Sequence, residues 1–266
     1  MSNPDGGEGA KVAATEPSLQ QLASLARGEA AVALDNLVAG YGDMEILHGV
    51  SLRVGSGQSL CLVGPNGAGK STVLHSIYGF ARIISGSVFV NGNDVTRLPA
   101  NQKLKNAGIA YILQDNSVFP NMTVEENLLM GGFLMPHSRD AREAAERILD
   151  KYPRLAQRRG QNAAVLSGGE RRLLEIARGM MMNPRVLLVD EPSIGLEPRF
   201  IDMVFEILQA LQQEDGKTII MVEQNAKKGL EFADIGYVLV SGRVSLAATG
   251  ADLLSNPDVG RLFLGG

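Results

Sequence analysis

The octapeptide Gly64-Pro65-Asn66-Gly67-Ala68-Gly69-Lys70-Ser71 constrains this chain more than any other stretch. It follows the apolar run Ser59–Val63, which reads as a strand, and opens a helix predicted from Lys70 to about Gly79. It matches G-x-x-x-x-G-K-[ST], a pattern that needs this strand–loop–helix context. Glycines let successive backbone N–H groups converge on phosphate oxygens, and the helix N-terminus adds a favourable dipole. Lys70 would neutralise the β- and γ-phosphates and Ser71 would ligate Mg²⁺, with Thr72 completing the phosphate-binding stretch. The alternative is a Gly-rich turn without a ligand; the flanking elements favour a nucleoside triphosphate.

The rest of the chain alternates strands and helices. Strand patterns cover 31–41, 50–54, 87–90, 109–113, 186–189, 217–222, 236–240 and 243–246. Helices are predicted over 139–150, about 169–181, 198–213 and 225–233. Thr123 with Glu126 three residues on has capping-box spacing. On the 139–150 helix, Ala144, Ala145, Ile148 and Leu149 share one face. This order predicts an α/β fold of the P-loop type: a mostly parallel sheet, an antiparallel β subdomain and an inserted helical subdomain at about 116–168. Residues 1–30 are rich in Gly, Ala, Ser and Glu, and are expected to form a disordered tail before a folded domain at 31–266.

Composition removes several function classes. The chain has 266 residues, with 25 Lys plus Arg against 29 Asp plus Glu, a net charge of −4. That balance argues against a general nucleic-acid binder. The single cysteine, Cys61, permits no intrachain disulfide and reads as a small buried residue. Three histidines and one cysteine argue against a dedicated zinc site. His48, His75 and His137 lack partners at metal spacing and read as surface or packing residues. Met180, Met181 and Met182 read as core. No window approaches the roughly 20 apolar residues of a membrane span, and the N-terminus does not resemble a secretory signal.

Two further elements give the loop its context. Residues 186–191, VLLVDE, form an apolar strand ending in two carboxylates. Open α/β sheets place ligands at such strand ends. Asp190 would hold Mg²⁺, and Glu191 is suited to polarise an attacking water. Leu166-Ser167-Gly168-Gly169-Glu170 lies about twenty residues earlier. Its serine and glycines entering a helix make a second anion-binding end. With these three motifs in this order, residues 31–266 resemble the ATP-binding-cassette (ABC) ATPase family.

The resemblance implies ATP and Mg²⁺ as ligands and a head-to-tail dimer of ATPase domains. Ser167, Gly168 and Gly169 would then act on the ATP held by the partner's phosphate loop. Tyr41 lies where the family has an aromatic residue that stacks on adenine, with strand-end packing as the alternative. Gln114 matches the Q-loop glutamine, which contacts Mg²⁺ and the attacking water. Residues 193–198, SIGLEP, resemble the D-loop, with Glu197 replacing the usual aspartate. Gln224 occupies the position of the switch histidine; glutamine can donate to a phosphate but cannot carry a proton. Arg171 and Arg172 either face the dimer seam or form a solvated helix face.

The segments GYGDMEILHGVSL, MTVEENLLMGGF, EPSIGLEP and VEQNAKKGL are similar to the second ATPase subunit of branched-chain amino-acid (LIV-type) importers. That branch often has glutamate where this chain has Gln114. Related urea or amide importers share much of the pattern. The resemblance implies a second ATPase subunit, two integral-membrane permeases, a solute-binding protein and residence at the cytoplasmic face of the inner membrane. The permeases would dock near 114–125 and on the helical region 123–160. A non-transport ABC ATPase, another P-loop enzyme and a low-turnover nucleotide sensor are the competing readings.

Overall fold

The computed structural model describes residues 17–114 and 117–263. Helix α1 (Leu19–Leu25) precedes the long strands β1 (Ala30–Tyr41) and β2 (Met44–Gly55) and the buried β3 (Ser59–Val63). Helix α2 (Lys70–Tyr78) leads to β4 (Arg82–Val90), the short β5 (Asn93–Asp94), α3 (Ala100–Ala107) and β6 (Ile109–Ile112). Helices α4 (Val124–Gly131), α5 (Ser138–Lys151), α6 (Pro153–Ala156) and α7 (Gly168–Met180) follow. The chain then alternates through β7 (Val186–Asp190), α8 (Pro198–Gln213), β8 (Thr218–Val222), α9 (Ala226–Phe232), β9 (Ile235–Val240) and β10 (Arg243–Thr249). Helices α10 (Gly250–Ser255) and α11 (Pro257–Phe263) end the described chain.

The central sheet has the order β10-β9-β3-β8-β7-β6; all but β10 run parallel. Leu62 of β3 lies beside Val222 of β8, and Val222 beside Asp190 of β7. The phosphate loop, the acidic pair and the turn carrying Gln224 therefore leave the sheet side by side, at the strand C-termini. A second, antiparallel sheet, β2-β1-β4-β5, covers one face of α2.

Alternation along the buried strands supplies two cores at once. Leu188, Ile220 and Val222 face the core shared with β1, β2 and α2. Leu187, Val189, Ile219 and Met221 face the helical side with α4, α5, α7 and α8. Helix α5 contributes Ala141, Ala144, Ala145, Ile148 and Leu149, the stripe its spacing predicts. Met180 and Met181 are core residues and Cys61 is buried.

The expectation of a disordered tail through residue 30 fails for its second half. Ser18 and Gln21 form a capping box, and Leu22 and Ala26 are each 1% exposed, with α1 packed against β2 and β10. Gln58 donates to the Leu25 carbonyl at 3.1 Å. The polar average of residues 1–30 hid this local Leu22/Leu25/Ala26 stripe. The remainder of that expected tail, residues 1–16, lies outside the described residues. Strand β2 also begins at Met44 rather than 50, because a turn at Gly42 and Asp43 folds it back on β1 and pairs Leu47 with Ala39. Helix α3 buries Lys103 completely; its ammonium donates to the Ile77 carbonyl at 2.7 Å, at the C-terminal end of α2. Burial pushes Lys103 down to about 8, with Asp94 opposing.

Candidate functional site

The loop between β3 and α2 exposes Pro65, Asn66 and Gly67 and buries Ala68. A side chain at Gly64 would collide with the Leu239 carbonyl, and Gly64, Gly67 and Gly69 all take positive φ, at 147°, 78° and 96°. Helix α2 starts at Lys70 with Gly69 as an N-cap that offers no side-chain bond. Its first amides therefore remain available to an anion. Lys70 is 7% exposed and its ammonium donates to the carbonyls of Gly64 at 2.9 Å and Pro65 at 3.0 Å. Burial lowers the Lys70 pKa, and the Glu191 and Asp190 carboxylates oppose that. Thr72, one residue beyond Ser71, is buried in the helix.

Asp190, 4% exposed, sits between two hydroxyl donors. Ser71 Oγ donates to its Oδ1 at 3.0 Å and Tyr111 to its Oδ2 at 2.8 Å. Burial, then the Asp190 charge, push the Tyr111 hydroxyl far up, so it stays a donor. Glu191 follows with φ 43°, an unfavourable left-handed backbone held by its amide on the Val222 carbonyl at 2.9 Å. That kink turns the Glu191 side chain off the strand and toward Gln114, whose amide donates to Oε2 at 2.9 Å. Ser71 from α2, Tyr111 and Gln114 from β6 and the segment after it, and Asp190 and Glu191 from the end of β7 thus meet beside the phosphate loop.

Among the described residues no cluster of three His, Cys, Asp or Glu side chains offers a metal cage. Ser71 and Asp190 make a sparse all-oxygen set. Such a set fits a hard cation that keeps water and takes phosphate oxygens, as Mg²⁺ does.

The serine–diglycine element starts α7. Ser167 is exposed; its hydroxyl accepts from the Glu170 amide at 3.2 Å while Glu170 accepts from the Ser167 amide at 2.9 Å. This capping box was legible in the S-x-x-E spacing. The Ser167 amide holds the Glu170 carboxyl below its ordinary range. Gly169 is buried, and a side chain there would collide with the Phe200 ring of α8. Gly168, Arg171, Gln114, Ile194, Gly195 and Leu196 line an open groove. Glu197 caps α8 without a side-chain bond and pairs with Arg199 at 3.0 Å, since a longer side chain replaces the better-capping aspartate.

Arg172 corrects both readings of the arginine pair, because it is buried. It donates to Leu113 O and to Glu175, each at 2.7 Å, and to Asp190 O at 3.3 Å; Glu175 accepts from the Ser117 amide. Both flanks of the Gln114 loop are therefore tied to α7. Tyr41 is 42% exposed at the end of β1, with its hydroxyl bonded to His75. His75 lies edge-on to Tyr41 and 5.7 Å from the Tyr111 ring; burial lowers its pKa. His48 pairs with Glu45 at 2.7 Å. Gln224 is exposed beyond β8. Tyr111 and Glu175 carry no motif, so sequence reasoning missed them; it read His75 as surface or packing, and His75 does pack against Tyr41, Phe80 and Tyr111.

A model of the ABC transporter family matches residues 47–194, which span the loop, the serine–diglycine element and the acidic pair. The chain belongs to the ABC transporter family. It is 42% identical to BraG of Pseudomonas aeruginosa, a high-affinity branched-chain amino acid transport ATP-binding protein, over 88% of this chain and 100% of that one. It is 40% identical to the probable branched-chain amino acid transport protein LivF of Archaeoglobus fulgidus, over 86% and 96% of the two chains. The dimeric ATP-binding cassette MJ0796, solved in a post-hydrolysis state with ADP and Pi, superposes at a TM-score of 0.70. It shares 25% identity and covers 82% of this chain and 98% of its own. The fold is that of an ATP-binding cassette, and it binds nucleotide. No described helix is long and apolar enough to cross a membrane.

Proposed function

We propose that this chain is the ATP-hydrolysing motor subunit of an importer for branched-chain amino acids, working as one of two cassettes clamped head to tail. The observation that carries the reading is the meeting of Lys70, Ser71, Asp190, Glu191 and Gln114 at one sheet edge, while Ser167 projects elsewhere on an exposed helix start. The amides of 67–71 and Lys70 hold the triphosphate. Ser71 and Asp190 would hold Mg²⁺, which would neutralise phosphate charge. Tyr41 offers its face to adenine. Gln114 holds the Glu191 carboxylate, which accepts a proton from the attacking water and aligns it with the γ-phosphorus. Ser167 and Gly168 serve the ATP of the partner cassette, and Gln224 donates to the γ-phosphate.

The partner cassette is a related chain or a second copy. Two membrane permeases take up the motion, fed by a solute-binding protein on the far side, and the chain is held peripherally at the cytoplasmic face. The permease contact fits the apolar surface at Phe133, 78% exposed, with Met130 lining the same groove. Substrate identity rests on the two branched-chain relatives.

Glu191→Gln tests the motor reading. It keeps the Gln114 contact and removes the base, so ATP stays bound while steady-state hydrolysis falls by about two to three orders of magnitude. Unchanged turnover sinks the assigned role of Glu191, and uptake of another solute class by the assembled transporter sinks the substrate.

A further inference from the structure

One buried carboxylate at this sheet edge has no part in the chemistry above. Glu223 directly follows β8 and is 2% exposed. Its Oε1 accepts from Ser193 Oγ at 2.5 Å and from the Asn225 amide at 3.1 Å. Its Oε2 is buried and has no hydrogen-bond partner among the described residues. A carboxylate kept out of water with one oxygen unmatched is costly, and so calls for a reason beyond packing.

The partners of Glu223 supply one. Ser193 lies two residues after Glu191, in the loop that continues through Ile194 and Gly195 to the seam groove. Asn225 follows Gln224, and its side chain caps α9 by accepting from the Lys228 amide at 3.1 Å. Gln224, exposed, is thus bracketed by a residue anchored in the core and a residue anchored on a helix. A backbone bond runs alongside, from the Glu191 amide to the Val222 carbonyl. The loop after the acidic pair and the turn carrying Gln224 are therefore fastened to each other through one side chain.

We propose that Glu223 is a positioning residue that locks the Gln224 turn to the Ser193 loop, so that the residue reaching for the γ-phosphate moves with the loop facing the partner cassette. The proposal rests on the motor reading, in which Gln224 acts on phosphate. A glutamine held by a neighbour can stand where proton-carrying imidazole is absent, because its amide needs only to be aimed. Glu223 touches no substrate atom and acts through Gln224.

The test uses the full chain with Glu223→Ala, Glu223→Gln, Ser193→Ala and the Ser193→Ala/Glu223→Ala double variant. Positioning predicts that Glu223→Ala lowers kcat about tenfold, with KM for MgATP and nucleotide affinity within about twofold. Glu223→Gln, which keeps an acceptor oxygen, recovers most of the loss. Ser193→Ala loses part of it, and the double variant is no worse than Glu223→Ala alone. Amide exchange over 223–228 rises in Glu223→Ala and Ser193→Ala. Wild-type kcat in Glu223→Ala, additive losses in the double variant, or unaltered exchange in both single variants overturn the proposal. If Glu223→Ala fails to fold, Ser193→Ala carries both readouts. A wild-type chain that binds nucleotide without hydrolysing it overturns the motor reading instead, and the exchange comparison still decides whether Glu223 fastens the turn.

Discussion

Lys70 and Asp190 are 7% and 4% exposed, and each is held by groups of its own chain: loop carbonyls for one, the Ser71 and Tyr111 hydroxyls for the other. Ser167 stands exposed at the head of α7 with its hydroxyl bonded to its own helix. The first region is prearranged: its charges are already desolvated and fixed, so binding phosphate needs little reorganisation. The second is an exposed helix start closed by its own Ser167–Glu170 capping box. The proposed function assigns these two unlike regions to two different nucleotide sites, one in this chain and one in a partner cassette.

Lys70→Ala attacks the prearranged half. Nucleotide binding should fall sharply and turnover by roughly three orders of magnitude, because Lys70 is the one cationic side chain that the proposed pose sets against the β- and γ-phosphates. Titration with a fluorescent ATP analogue checks this; near-normal affinity would mean that the loop amides suffice. Ser167→Arg attacks the open half. Turnover should drop about a hundredfold while nucleotide affinity of the isolated chain stays within about twofold. An equal loss of binding by the single chain would erase the distinction between the halves.

A third change falls outside both halves. Leu22→Ala should cost about 2–5 kcal/mol of stability through the cavity left beneath α1, with unchanged nucleotide affinity in the folded protein. A denaturation midpoint matching wild type would return α1 to the status of an ornament.

The smallest effect concerns the far end of the phosphate helix. Burial depresses Lys103 to about 8, below the roughly 10.4 of a lysine in an unfolded chain. Between about pH 8 and 9.5 an unfolded Lys103 holds its proton more than the folded one does, so this residue contributes stability that rises with pH across that window, while the buried Cys61 thiol, which burial pushes up, contributes with the opposite sign. Lys103→Met should remove that contribution, so the stability difference between the two proteins changes between urea melts taken at pH 8 and 9.5; a constant difference would show that Lys103 keeps its proton throughout. The window stops short of the tyrosines, whose raised values act with the opposite sign.

Much of the site was readable because its chemistry is local in sequence. A loop that must present consecutive amides has to spell its glycines and lysine in a row, and Gly64 to Ser71 do so. The acidic pair was readable because a strand buried on both faces runs apolar until it meets the ligand edge. Tyr111 and Arg172 were not readable, because their partners lie 79 and 59 residues away and no spacing announces them. Helix α1 escaped for a different reason: averaging over thirty residues diluted a stripe of three.

The sequence by itself determined which groups make up the candidate phosphate site, since amide-rich loops, capping boxes and strand ends are short-range consequences of residue type. Tertiary structure alone decided how those groups are held. Strand order set Asp190 beside Val222, the α7–α8 packing excluded any side chain at Gly169, and the burial of Arg172 and Glu223 fixed the loops around Gln114 and Gln224. Hydrogen bonds and desolvation act through space, and the chain's order does not record who lies across from whom.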